Sequence, residues 1–201
     1  AHNTTTTFNV KTSSGTSIMS VDTSNSEVLV NGNNVNTGVF MYSCYNSSLP
    51  ANTWTSLMYG TAMDVGALNS MGTGSNPDTT LDVSAESVQY AVFNMLALPY
   101  DITIDDVYVW YTGDSSSSDN IKFSLNSFSI ATSGSNSGDL SSGAILYSTT
   151  ASAYDNTKVY RETLSATTNN VDANKVLLFM AHQNGTNNDL YARAYIKYHI
   201  K

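Results

Sequence analysis

Carboxylates, imidazoles and one thiol are the reactive groups this chain offers, and their spacing limits what they can do. Asp101, Asp105 and Asp106 sit on or beside 102-ITIDDVYVWY-111, and Asp114 and Asp119 follow in 112-TGDSSSSDN-120. Hydrolysing a glycosidic bond takes two carboxyl groups roughly 5–9 Å apart. Neighbouring residues of a strand point to opposite faces, so Asp105 and Asp106 are expected to fail as such a pair. Asp189 could join Asp114 or Asp119 around a Ca2+ ion through carboxylate and carbonyl oxygens; without a metal these are solvated loop carboxylates. His2, His182 and His199 lack a metal-ligand spacing. Cys44 is the single cysteine, which excludes an intrachain disulfide, and it reads as a small buried apolar residue. No serine elbow, phosphate loop or dinucleotide fingerprint appears. The sequence predicts a protein that is not an enzyme, with no cofactor and no dedicated metal centre.

Binding chemistry is better represented. Ser, Thr and Asn make up 75 of the 201 residues, while charged residues are only 12%. The polar surface is therefore neutral, suited to exchanging hydrogen bonds with other neutral polar groups. The loops 112–120, 131–143 and 183–189 concentrate such residues, and the candidate ligand-binding set is Asp114, Asp119, Asn184, Asn187, Asn188 and Asp189. Binding residues favour loops held at the ends of a rigid scaffold. Thirteen Tyr and two Trp are the second resource. Most are expected in the core and in cross-strand pairs; the remainder could contact a glycan or a protein. A net charge of −8 with eight basic residues argues against nucleic acid and anionic membrane as partners. No apolar run reaches the 18 residues of a membrane span, and no charged-then-apolar leader is visible.

The elements that must position these groups are strands. Residues 190-LYARAYIKYHIK-201 alternate, with Ala192, Ala194, Ile196, Tyr198 and Ile200 on one face and Tyr191, Arg193, Tyr195, Lys197 and His199 on the other. Further strands are expected at 39–45, 53–60, 87–98, 102–111, 121–130, 144–148, 157–164 and 175–181, joined by turns rich in Gly, Ser, Asn and Asp. Many short strands with such turns indicate a sandwich or barrel. Segment 61–78 reads as a long loop with one helical turn around Met63–Leu68. Ahead of this region, Phe8–Lys11, Ile18–Asp22 and Glu27–Val30 form three short strands, with turns at Thr12–Gly15 and Thr23–Ser26. A sheet this small needs a cover for its apolar face. The polar, glycine-bearing 31-NGNNVNTG-38 is placed as the boundary, giving an N-terminal module over 1–38 and a sandwich over 39–201.

The opening residues Phe8-Asn9-Val10, 13-SSGTSIMSVD-22 and 28-VLVNG-32 resemble the short β modules of bacteriophage fibres, marine and cyanobacterial ones in particular. The resemblance implies an intertwined homotrimer in which Phe8, Val10, Ile18, Val21, Val28 and Val30 meet their counterparts in two other copies. Segments 98-LPYDITIDDVYVWY-111, 173-ANKVLLFMA-181 and 189-DLYARAYIKYHI-200 are similar to the jelly-roll domains that end phage fibres and capsid decoration proteins. Together they imply an all-β chain, a trimeric β-stem followed by an antiparallel jelly roll. The implied role is a structural protein of the virion surface. Its partners would be its own copies, other capsid or tail proteins and a host surface glycan, without nucleic acid and without membrane insertion. A secreted carbohydrate-binding module and a polysaccharide depolymerase are the competing classes.

Overall fold

The computed structural model describes residues 6–24, 27–60, 69–71, 94–113, 119–130, 140–185 and 188–201. They form three antiparallel sheets.

The first is a meander of β1 (Thr6–Lys11), β2 (Ser17–Asp22), β3 (Glu27–Val30) and β4 (Asn33–Asn34), in that order. The three N-terminal strands expected from sequence are present, and the fourth was missed. Asn31 and Gly32, at φ 51° and 76°, close a two-residue hairpin between Val30 and its partner Asn33. Asn-Gly is favoured there because both positions require positive φ. The stretch taken as a domain boundary thus holds a tight turn, and the chain enters the next strand at Thr37.

The second sheet, the front sheet, orders β14 (Tyr160–Thr163), β10 (Ile102–Gly113), β18 (Asn188–Ile200), β5 (Thr37–Leu49) and β7 (Met58–Tyr59), with β16 (Asn170–Val171) also on β10. The third, the back sheet, orders β15 (Ser165–Ala166), β12 (Leu140–Ser148), β11 (Asn120–Ile130), β17 (Val176–Gln183), β6 (Trp54–Ser56) and β8 (Asn69–Ser70). In it β13 (Ser152–Ala153) also pairs with β11, and β9 (Leu96–Ala97) with β17. Take the principal strands in chain order as β5, β6, β10, β11, β12, β14, β17 and β18. The front sheet then holds the first, eighth, third and sixth, and the back sheet the second, seventh, fourth and fifth. That interleaving is the jelly roll, two Greek keys folded into a sandwich.

The alternation expected of the last strand positions its core. Leu190, Ala192, Ala194 and Ile196 are buried, as are Val107, Val109 and Tyr111 opposite them and Phe123, Leu125 and Phe179 from the back sheet. Two tyrosines tie the layers together. Tyr42 of the front sheet donates to the Leu177 carbonyl at 2.8 Å, and Tyr147 of the back sheet donates to the Ile104 carbonyl at 3.0 Å. Burial pushes the Tyr42 hydroxyl well above its ordinary pKa, so it stays a donor.

A second, smaller core lies on the outer side of the back sheet. Trp54, Met71, Phe128, Leu178 and Met180 cluster there with Met95 and Leu140. Met71 and Met95 come from the long connection between β7 and β10. The Met71 N–H donates to the Trp54 carbonyl at 2.7 Å, and buried Asn94 holds the Ser56 hydroxyl. This cover explains why Val176–Ala181 is buried on both faces and reads as an unbroken apolar run. The proposed helical turn at Met63–Leu68 and residues 87–93 of the proposed strand lie outside the described residues.

Candidate functional site

Two sheet faces carry apolar side chains that none of the described residues covers. The first belongs to the N-terminal sheet. Its register aligns Phe8 with Val21 and Val10 with Met19, then Val21 with Val28 and Met19 with Val30. Residues directly opposite in an antiparallel pair point the same way. One face therefore carries two apolar rows, Phe8–Val21–Val28 and Val10–Met19–Val30. Val35 extends the first row, its N–H bonded to the Val28 carbonyl. Among the described residues of 1–38 none is buried, and Phe8, Val10, Val30 and Val35 are 52%, 41%, 37% and 53% exposed. Five of the six residues named from sequence share this face. Ile18 stands outside the rows, beside a register irregularity between Val10 and Lys11, and Met19 takes the place expected of it.

The second uncovered face is the outer side of the front sheet. Strand pairing builds three rows across it. Thr163, Tyr108, Tyr195 and Met41 form one, Arg161, Trp110, Arg193 and Ser43 the next, and Thr112, Tyr191 and Tyr45 the third. Tyr45 stacks on Tyr191 with centroids 4.6 Å apart, and Tyr108 on Tyr195 at 5.1 Å. The Arg161 guanidinium lies 4.7 Å over the Tyr108 ring. Trp110 and Tyr191 nevertheless remain 48% and 44% exposed. Ser43, Tyr45, Trp110, Tyr191, Arg193 and Val159 line an open cleft of about 400 Å³ here, within the roughly 300–1,000 Å³ usual for ligand sites. Cys44 borders the cleft from the core side. Burial pushes its thiol up to about 12, which leaves it protonated and unreactive at neutral pH.

The loop residues singled out from sequence are placed differently. Asp114 and Asn187 lie outside the described residues. Asn120 and Asn184 clasp, the Asn120 N–H donating to Asn184 Oδ1 at 2.7 Å and the Asn184 N–H to the Asn120 carbonyl at 3.2 Å. The described ends of loops 112–120 and 183–189 therefore meet at one end of the sandwich, with Asp119 next in sequence to the clasped Asn120. Asn188 and Asp189 open β18, where Gly113 pairs with Leu190. Gly113 is required there, since a Cβ would overlap the Asp189 carbonyl oxygen and the Tyr154 ring. Loop 131–143 leaves the far end of β11, beyond the Ile130–Leu140 pair, so the three loops do not share one end.

The acidic pair needs a correction. A bulge between Ile104 and Asp106 breaks the alternation of β10, so the buried neighbours are Ile104 and Val107 and neither aspartate enters the core. Asp105 and Asp106 do not point to opposite faces as an unbroken strand would have them. Asp105 instead meets Nδ1 of His199 at 2.6 Å, which buries that outward-facing imidazole against the bulge. At the loop end, His182 packs 5.1 Å from Trp54, with Lys122 on the same indole at 5.0 Å. Burial foremost, then the Lys122 charge, lowers the His182 pKa from 6.5. Among the described residues no three His, Cys, Asp or Glu gather as a metal site would need.

Sequence reasoning separated inward from outward aromatic residues in the last strand alone, setting Tyr191 and Tyr195 opposite Tyr198. Tyr42, Tyr111, Tyr147 and Tyr154 are core; Tyr45, Tyr108, Trp110, Tyr191 and Tyr195 make the outer face. The parity of β10 and β18 carried that signal, because Tyr108 and Trp110 share one face and Tyr111 the other. No protein-family model matches this chain, and no curated protein matches it.

Proposed function

We propose that the chain is a non-enzymatic, self-assembling structural protein of a virion surface, a homotrimeric capsid decoration or short fibre whose jelly roll is displayed outward. The observation that carries this reading is the N-terminal sheet, whose two apolar rows have no buried residue among those described. Fully burying a Val or Phe side chain contributes roughly 1.5–3 kcal/mol, so leaving such rows in water forfeits much of what this small sheet could gain. Identical copies are the simplest cover, because the same rows then bury one another. The resemblance of residues 8–32 to phage fibre modules supports three copies, and jelly rolls are common among viral capsid proteins.

Light scattering on the purified full chain tests the assembly. A mass near three times 21.6 kDa supports the reading, and a monomer refutes it. Labelling particles with an antibody to the jelly roll tests the location, and unlabelled particles would remove the virion role.

A further inference from the structure

The outer face of the front sheet carries chemistry that self-assembly leaves unused. The corresponding face of the back sheet is closed by Met71, Met95 and their neighbours, whereas no described residue closes the front face. We propose that this face binds an acidic polysaccharide, with sugar rings stacked on Trp110 and Tyr191 and their carboxylates held by Arg161 and Arg193. This names a ligand for the displayed domain and so rests on the reading of the chain as a surface-displayed protein.

Three features point to that ligand. Exposed rings in neighbouring rows, Trp110 in one and Tyr191 in the next, offer negative π faces to the polarised C–H bonds of a pyranose, and an exposed apolar patch on a sheet marks a contact site. The bases are also concentrated. Of eight Lys and Arg in a chain of net charge −8, Arg161, Arg193 and Lys197 lie on these strands and Lys158 stands at their edge. Neither arginine forms a salt bridge among the described residues, although the guanidinium fork is made for two-point binding of a carboxylate. Lastly, the acids nearby are engaged elsewhere. Glu162 accepts from Tyr111 at 3.1 Å, and Asp155 accepts from the Thr157 N–H at 2.9 Å and from its hydroxyl at 2.6 Å. The centre of the face therefore remains positive.

Another occupant fits less well. A second copy of the same face, packed on this one by two-fold symmetry, would set arginines against arginines.

The test is calorimetric titration of the full chain with an oligogalacturonate and with a neutral glucan of equal length. Binding should be confined to the acidic chain and should weaken with added salt. Arg161→Gln and Arg193→Gln should each weaken it about tenfold, as expected for loss of a charged hydrogen bond, and Trp110→Ala at least as much. All three side chains are exposed, so melting temperature and oligomeric mass should not change. Equal binding of the neutral glucan, no binding of either, or unaltered affinity in the variants would overturn the proposal. So would a change of mass in Arg193→Gln, which would make the face a contact between copies. An intact oligomer that binds no glycan rejects this site alone, whereas a monomer that binds the acidic chain rejects the assembly alone.

Discussion

The two uncovered faces differ in kind. On the N-terminal sheet the rows are aliphatic with one phenylalanine, and nothing in Phe8–Val21–Val28–Val35 can hydrogen-bond. On the front sheet every row mixes rings with guanidinium or hydroxyl groups, from Arg161–Trp110–Arg193–Ser43 to Thr112–Tyr191–Tyr45. The first face has only the hydrophobic effect to satisfy, and a dry partner of the same shape does that. The second can remain wet without penalty, because arginine stems and tyrosine edges cover apolar area while their polar ends meet water. An exposed apolar face is thus not one signal but two. Its polar content separates the aliphatic rows of the N-terminal sheet from the ring-and-guanidinium rows of the front sheet, and the two proposals rest on that difference.

The largest expected effect separates the faces by a single residue. Val21 and Ser20 are neighbours on β2 with opposite orientation, Ser20 pairing with Asn9 and Leu29. Val21→Asp should abolish the oligomer, since each buried carboxylate costs several kcal/mol and every copy brings one. Ser20→Asp should leave the mass unchanged, as gel filtration with light scattering would report. Equal loss in both would erase the distinction between the two sides of this sheet.

A core change should spare both faces. Gly113→Ala forces a methyl against Tyr154, whose hydroxyl meets buried Gln183, which in turn donates to the Leu49 carbonyl at 2.6 Å. Overpacking of this kind costs about 1–3 kcal/mol. Thermal unfolding of the sandwich should shift down while the oligomeric mass below the transition stays the same.

Substitution on the front face should do less. Trp110→Asp places a charge where water already reaches, so its effect on stability should stay within roughly 0.5 kcal/mol, with an unchanged mass. A monomeric Trp110→Asp protein would show that the front face, too, is sealed by copies.

The smallest effect is a pH dependence at the back sheet. His182 has a lowered pKa in the folded protein, so as pH falls the unfolded chain takes up the proton first. The stability this group contributes is present above pH 6.5 and is lost as pH falls through the lowered folded value. Half-burial keeps the effect modest. Chemical denaturation at several pH values should show a decline below 6.5 that His182→Gln flattens.

Strand positions were largely legible in the sequence because their parity is written in it. Residues 121–130 and 175–181 fall within one residue or two of β11 and β17, and the alternation after Leu190 sets the core face of β18. Parity does not tell which face meets a second sheet. Tyr42 and Tyr45 lie three residues apart and so on opposite sides of β5, yet only the partner sheet makes Tyr42 core. The bulge at Asp105 was invisible for a related reason, since an extra residue shifts parity without changing composition. The hairpin at Asn31-Gly32 was legible in the dipeptide but went unnoticed, because the stretch was read for its polarity and glycines as a boundary. The candidate loop residues were chosen for composition, whereas the rows of the outer face draw on four strands and become visible only when those strands are aligned.

The central claim is that the N-terminal sheet exists to be covered by copies of itself while the jelly roll stands alone. Removing residues 1–32 tests this most directly, because the Asn36 contacts to Ile200 at the base of β5 are retained. The account predicts a monomer by light scattering, with the sheet signal in far-ultraviolet dichroism and the cooperative melt of the sandwich preserved. A truncated protein that keeps the full oligomeric state would contradict it.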